Sequence, residues 1–395
     1  MIGRRDFLAA CGGAALGLSA TKADDRSSAA PARPRSMYWQ LAQTTRRFTT
    51  DRLLTRWASY RRSPGETVTA AWHDASQILA DAAMLPDEDR AYDGLLATFR
   101  FMRQFSASEN PITGYCPSVN IDGKHPDTAV QFVDDNMLTA NAYMEASQAI
   151  KSRDSAELVK AADLIAFWLL HANLWDEAFG GGYWWNTTRP YKPTQSNGLA
   201  LQLFLRLYVG TGRAEHLDHA QRTYDWLRAA LLDRDGLYAS KIGPSGVDRA
   251  KFAYDQAIMI EAELLMHGAT QHSTHAKHLE RAQRLATVLK AKLWDPIFGG
   301  FLMNTNQPFM RSPVFCGWVT QSLIRLYEAD RERGWLDDAQ TNVDMLNLFL
   351  RDPATGGYYS ECRVDGGNRT ALQQCVDQSW MQRTQALLSR YRGGE

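Results

Sequence analysis

Leu174-Trp175-Asp176 leads through Phe179-Gly180-Gly181 to Tyr183, and the phrase returns as Leu293-Trp294-Asp295, Phe298-Gly299-Gly300 and Phe301. A third copy runs from Asp352-Pro353 to Gly356-Gly357-Tyr358. Weaker copies are Asn110-Pro111-Ile112-Thr113-Gly114-Tyr115 and Asp233-Arg234-Asp235-Gly236-Leu237-Tyr238. The aligned glycines Gly114, Gly181, Gly236, Gly300 and Gly357 stand 67, 55, 64 and 57 residues apart. Each interval has the length of one helical hairpin with its connection, and recurrence at a near-constant period signals one unit used repeatedly. Asp or Pro, then Gly-Gly, then an aromatic suits a tight turn into a short extended segment.

Between the copies the pattern is helical, and strands are hard to find. Apolar spacing and end signals predict twelve helices, at 37–61, 70–84, 87–106, 129–150, 154–173, 194–210, 213–232, 251–268, 274–292, 313–328, 333–350 and 370–391. Connections after the odd-numbered helices are long and those after the even-numbered ones are short, as at Gly210-Thr211-Gly212. Six such hairpins build an all-α, closed (α/α)6 barrel: a toroid of six inner helices sheathed by six outer ones, with every long loop at one end. An open solenoid is the alternative. Five aromatic loops converging on one end favour the ring, whose first and last inner helices must then be neighbours.

At the loop-rich mouth the sequence Gln131-Phe132-Val133-Asp134-Asp135-Asn136 opens the helix 129–150. Asp at a helix start is what capping and the helix dipole favour. A carboxyl pair is also the minimal equipment for breaking a glycosidic bond. Neighbouring residues in a helical turn point about 100° apart, so both can reach one cavity. Retention of configuration asks for carboxyls about 5–5.5 Å apart, which adjacent residues meet more easily than the wider spacing of inversion.

At these residues the chain resembles glycoside hydrolase family 76, the α-1,6-mannanases with an (α/α)6 barrel. The resemblance covers most of residues 50–390. It is carried by Asp134-Asp135-Asn136, Gly180-Gly181-Gly182-Tyr183-Trp184-Trp185, Ser196-Asn197-Gly198-Leu199 and Phe252-Ala253-Tyr254-Asp255-Gln256. It implies a retaining glycosidase without cofactor or metal, acting on an α-linked mannose-containing glycan, with Asp134 as nucleophile and Asp135 as general acid/base. Three departures bear on specificity. Met137-Leu138 stands where the family usually has Trp, Tyr254-Asp255-Gln256-Ala257 replaces Tyr-Asn-Gln-Gly, and Lys192-Pro193 replaces Lys-Asn.

Sugars present apolar C–H faces to aromatic rings and hydroxyls to amides and carboxyls. The expected substrate-binding residues are therefore Trp72, Asp74, Asn136, Tyr183, Trp184, Trp185, Asn197, Tyr254, Asp255 and Gln256. Some of these aromatics equally suit a plug for the loop end of the barrel. Trp226, Trp335 and Trp380 suit core packing.

Composition narrows the function classes. The 44 basic and 44 acidic residues cancel, which gives no electrostatic footprint for nucleic acid or an acidic membrane. Arg4-Arg5-Asp6-Phe7-Leu8 before the Ala/Gly-rich run Ala9 to Ala20 reads as a twin-arginine export signal. That run is too short for a stable membrane span. The expected organisation is a signal peptide at 1–23, a linker at 24–36 and one catalytic domain at 37–395, a periplasmic or extracellular monomer. Cys116, Cys316, Cys362 and Cys375 lack metal-ligand spacing; Cys362 and Cys375 are either a disulfide or buried free thiols.

Two other readings fit the barrel. A sugar 2-epimerase would rely on paired histidines, for which His73 and His267 are the inner-helix candidates. A non-catalytic glycan-binding protein would keep the groove and lose the chemistry.

Overall fold

The computed structural model describes residues 36–392 apart from 86, 107–113, 151 and 270–271. The export signal, most of the linker and the loop tip Asn110 to Thr113 lie outside the described residues. Twelve α-helices are found among the described residues: α1 (Met37–Arg52), α2 (Ala71–Met84), α3 (Asp89–Met102), α4 (Val133–Ala149), α5 (Asp154–His171), α6 (Thr194–Thr211), α7 (Ala214–Ala230), α8 (Ala253–Ala269), α9 (His272–Leu293), α10 (Pro313–Asp330), α11 (Arg333–Leu350) and α12 (Cys375–Leu388). The even-numbered helices pack in the order α2, α4, α6, α8, α10, α12, and α12 packs back on α2. The ring is closed. Outer helices lie on it pairwise, α3 on α2, α5 on α4, α7 on α6, α9 on α8, α11 on α10 and α1 on α12.

Burial explains the two kinds of helix. Every residue of α12 is buried, because it touches α2, α10 and α1. The outer helix α11 buries only one stripe, Leu336, Ala339, Asn342, Val343, Leu346 and Leu350, spaced three or four apart. At Gly198 of α6 an added Cβ would lie 2.5 Å from Ile258 of α8, so this glycine sets how closely the two helices approach.

The loop end is built from one device used six times. Each long connection starts with a single antiparallel bridge to its aromatic: Leu54 to Tyr60, Ser106 to Tyr115, Trp175 to Tyr183, Leu232 to Tyr238, Trp294 to Phe301 and Arg351 to Tyr358. The fourth residue of the following inner helix then clamps that aromatic's backbone. Asn136 accepts from the Tyr115 N–H at 2.7 Å and donates to its carbonyl at 3.1 Å. Asn197 does the same for Tyr183, Gln256 for Tyr238 and Gln378 for Tyr358. Asp74 accepts from the Tyr60 N–H at 3.0 Å. In the fifth loop Cys316 has no amide; its thiol donates to the Phe301 carbonyl, and Asn342 of α11 takes the Phe301 N–H.

Each loop is also tied to its neighbour in the ring. The first N–H of an inner helix donates to the loop ahead: Ala71 to Pro117, Val133 to Trp185, Thr194 to Ser240, Ala253 to Met303 and Cys375 to Arg62. The sixth position is Pro313, which has no N–H to give. Short strand pairs add to this collar: β1 (Val68–Ala70) with β2 (Ser118–Asn120), β3 (Lys192–Pro193) with β4 (Lys241–Gly243) and β5 (Gly246–Asp248), and β6 (Met310–Arg311) with β7 (Cys362–Arg363). Because these ties join the N-terminal ends, the inner helices run parallel and all long loops share one mouth.

Deeper in the barrel a second ring closes through charge. Arg206 pairs with Glu145 and Glu261, Gln321 donates to Glu261, and Arg383 bonds Gln321, Glu145 and the carbonyl of Leu79. One side chain or carbonyl comes from each inner helix. Burial opposes the charge of Glu145, but Arg383, Arg206 and Arg325 outweigh it and hold its carboxyl at about 2.

One sequence expectation changes here, and one question that the sequence left open is answered. The first helix ends at Arg52 rather than at 61, because Leu54 turns back to bridge Tyr60. Cys116, Cys316, Cys362 and Cys375 are all buried free thiols, so Cys362 and Cys375 are not joined.

Candidate active site

Asp134 and Asp135 are the second and third residues of α4, at the mouth. The chain arrives extended at Phe132, and Val133 is pinned to Trp185, so the first turn of α4 is held by the next loop. Asp134 is 9% exposed; one carboxyl oxygen accepts from the Trp185 indole N–H at 3.0 Å and the other from the Asp135 N–H at 3.2 Å. Trp185 is in turn fixed between Phe132, edge-on at 4.8 Å, and Tyr191, stacked at 5.0 Å and 12°. Lys241 lies 4.4 Å from the Tyr191 ring centre.

The two carboxyls sit in different fields. Burial pushes Asp134 up, and the Trp185 and Asp135 N–H groups limit its rise to about 6. Asp135 is pushed well above the usual carboxylate range, by burial first and then by the charge of Asp134. No hydrogen bond offsets either effect. Near neutral pH the pair therefore holds one ionised and one protonated member.

A cavity of about 450 Å³ opens at the same end, lined from α2, α6, α8, α10 and α12 and from the loops before α10 and α12, the remaining inner helix α4 carrying the acid pair. Trp72, Tyr254, Phe315 and Trp318 give it aromatic walls; Gln195, His73 and Asp377 give polar ones. Burial first, and then the charges of Asp255 and Asp134, push the Tyr254 hydroxyl well above its usual range. A larger, open cleft of about 600 Å³ lies between the loop at Trp175–Gly180 and the outer helix α7, and neither acid lines it.

The ten expected sugar ligands divide. Trp72 and Tyr254 line the cavity, and Trp185 holds Asp134. Asp255 is buried at the same level, with Oδ1 unpaired, its carboxyl well above the usual range from burial. The expectations for Asp74, Asn136, Asn197 and Gln256 are corrected: all four are fully buried and occupied as loop clamps. Tyr183 is the aromatic that Asn197 clamps, 2% exposed. Trp184 is also corrected to a structural role. Its indole donates to Asp176 at 2.6 Å, and the Lys192 ammonium lies 4.8 Å from its ring while bonding Asp176, Ala178 and Gly181. Among the histidines, His73 is in the first turn of α2 and His267 in the last turn of α8, at opposite ends of parallel helices.

Tyr191, Gln195, Phe315, Trp318 and Asp377 were missed. A signal existed for part of the set: Trp72, Gln195, Tyr254 and Val314 occupy the same helical position as Asp134, second in their inner helices.

Comparison with known proteins agrees with this architecture. Residues 101–311 match the family model described as glycosyl hydrolase family 76. Over 109 residues the chain is 29% identical to the mannan endo-1,6-alpha-mannosidase DCW1 of Candida glabrata, a match spanning 24% of this chain and 24% of that relative. A GH76 α-mannanase of Bacteroides thetaiotaomicron superposes with a TM-score of 0.75 at 20% identity, covering 90% of this chain and 96% of that one. An inactive variant of the α-1,6-mannanase of Salegentibacter sp. HEL1_6, with two adjacent aspartates changed to asparagine, was solved in complex with α-1,6-mannotriose. It superposes with a TM-score of 0.69 at 18% identity, over 89% of this chain and 99% of that one. Both superpositions establish the fold.

Proposed function

The chain belongs to glycosyl hydrolase family 76, and from that premise we propose that it is an exported retaining glycoside hydrolase acting on α-1,6-linked mannan or manno-oligosaccharides. The observation that carries the reading is the placing of two adjacent carboxyls in the first turn of α4 at the mouth, only one of them held by the Trp185 indole. Asp134, hydrogen-bonded by Trp185 and the easier of the two to ionise, is the nucleophile at the anomeric carbon. Asp135, held protonated by burial and by its neighbour, gives its proton to the departing glycosidic oxygen. Once the glycosyl–Asp134 ester forms, Asp135 is the base that takes a proton from water, and the water oxygen replaces Asp134 at the sugar. The aromatic walls at Trp72 and Tyr254 suit stacking of neutral sugar rings.

The linkage comes from the relatives named above, and export from Arg4-Arg5 before the apolar run. The epimerase alternative needs two histidines facing one ring, a requirement that His73 and His267 do not meet.

A product screen on α-1,6-, α-1,2- and α-1,3-linked manno-oligosaccharides, with the first anomer followed by NMR, tests the reading. Cleavage of the α-1,6 series with initial release of the α-anomer is expected. Initial β-anomer, or turnover of another linkage only, refutes it.

A further inference from the structure

We propose that His73 and Asp377, on the adjacent inner helices α2 and α12, form a sugar-binding subsite in the mouth cavity, for a neutral pyranose next to the ring that reacts at the acid pair. The inference rests on the functional reading above.

His73 is the starting point. It is 7% exposed, lines the cavity, and neither ring nitrogen has a hydrogen-bond partner among the described residues. A buried imidazole with two idle nitrogens costs free energy unless something from the cavity completes it. Burial holds His73 neutral, down at about 3. A neutral imidazole offers one donor and one acceptor, which is what a sugar hydroxyl, itself donor and acceptor, requires.

Asp377 supplies the second contact. It is the third residue of α12, as His73 is of α2, and the two helices are joined just below, where the Ser379 hydroxyl donates to Gln77 at 2.7 Å. Asp377 lines the same cavity; Ser360 donates to its Oδ2 at 2.6 Å, which orients the carboxyl. Trp72, second in α2, faces Trp318 across 6.5 Å and Trp318 leans on Trp380 at 4.3 Å, giving an aromatic wall beside the two polar groups. An aromatic face flanked by an imidazole and a carboxyl suits the apolar face and hydroxyl edge of a pyranose. Among the described residues the lining holds Glu361 and Asp377 and no Lys or Arg, so a neutral sugar fits it better than a phosphorylated one.

The test uses binding, so it does not depend on turnover. The full-length protein carrying Asp134→Asn and Asp135→Asn is titrated with α-1,6-mannotetraose and with methyl α-mannoside by calorimetry. His73→Ala and, separately, Asp377→Asn are then added. Each should weaken mannotetraose binding about tenfold, the effect of one lost hydrogen bond of about 1.4 kcal/mol. The affinity for methyl α-mannoside should be unchanged, and thermal midpoints should stay within a few degrees, which a purely structural role would not give. Mannotetraose binding unmoved by both substitutions overturns the subsite. Equal loss for the two sugars does so as well. Absence of any mannoside binding before His73 is touched overturns the functional reading, and the subsite with it.

Discussion

Replacing Asn197 by Ala isolates the device on which the mouth depends. Asn197 is fully buried, and its amide accepts from the Tyr183 N–H at 2.7 Å and donates to the Tyr183 carbonyl at 2.9 Å. Alanine leaves both backbone groups buried and unpaired, at about 1–3 kcal/mol each. A total near 3–4 kcal/mol is expected, and about 2.1 cal/mol/K per residue over a domain of this size converts it to a fall of about 4–5 °C in Tm. Differential scanning calorimetry reads this directly. Two matched variants separate hydrogen bonding from packing. Asn342→Ala removes the bond to the Phe301 N–H and two further donations, so it should cost as much. Cys316→Ala removes one thiol donor and should cost clearly less. A shift under about 1 °C for Asn197→Ala refutes the clamp, and so does a Cys316→Ala loss as large as that of Asn197→Ala.

Arg383→Met should destabilise by about 3–5 kcal/mol in guanidinium unfolding, since it strips a partner from buried Glu145 and Gln321. Burial holds Asp377 at about 7 and Asp74 at about 8, so the folded chain keeps protons that the unfolded chain releases. Their contribution is fully present below the usual carboxylate value and is lost as pH rises from about 4 to about 8; Tm should be higher near pH 5 than near pH 9, and Asp377→Asn should flatten that slope. Arg4→Lys with Arg5→Lys should trap the precursor in the cytoplasm, as read by fractionation and immunoblotting; unchanged export counts against a twin-arginine route.

Much of the ring was legible because hairpin length and loop chemistry repeat together. The five loops with a glycine beside the aromatic announced themselves. The sixth did not, because Ala58 takes the positive φ there, at 66°, and Tyr60 follows without a glycine. The same gap let the first helix be drawn nine residues too long, to 61 rather than Arg52. The position of the acid pair at a helix start was legible from the sequence, whereas its proposed roles came from the family resemblance. Asp74, Asn136, Asn197 and Gln256 were misread for a physical reason: a polar residue near a loop looks like a ligand, and only the structure reveals a backbone group that already occupies it. Their common place, fourth in each inner helix, was the overlooked signal. Asp377 was invisible because it lies far along the chain from His73 and shares a cavity with it only when α12 closes on α2.

The central claim is that Asp134 attacks and Asp135 protonates. Asp134→Asn and Asp135→Asn are nearly isosteric, and each is assayed on an α-mannoside with an activated leaving group in the presence of azide, with circular dichroism to establish folding. Asp135→Asn should still form the glycosyl-enzyme, since that leaving group needs no proton, and azide should capture the sugar as the α-mannosyl azide, with configuration retained. Asp134→Asn cannot form the ester, so azide enters from the opposite face and gives the β-product. Folded variants that both keep near-normal turnover, or that exchange these two products, contradict the account.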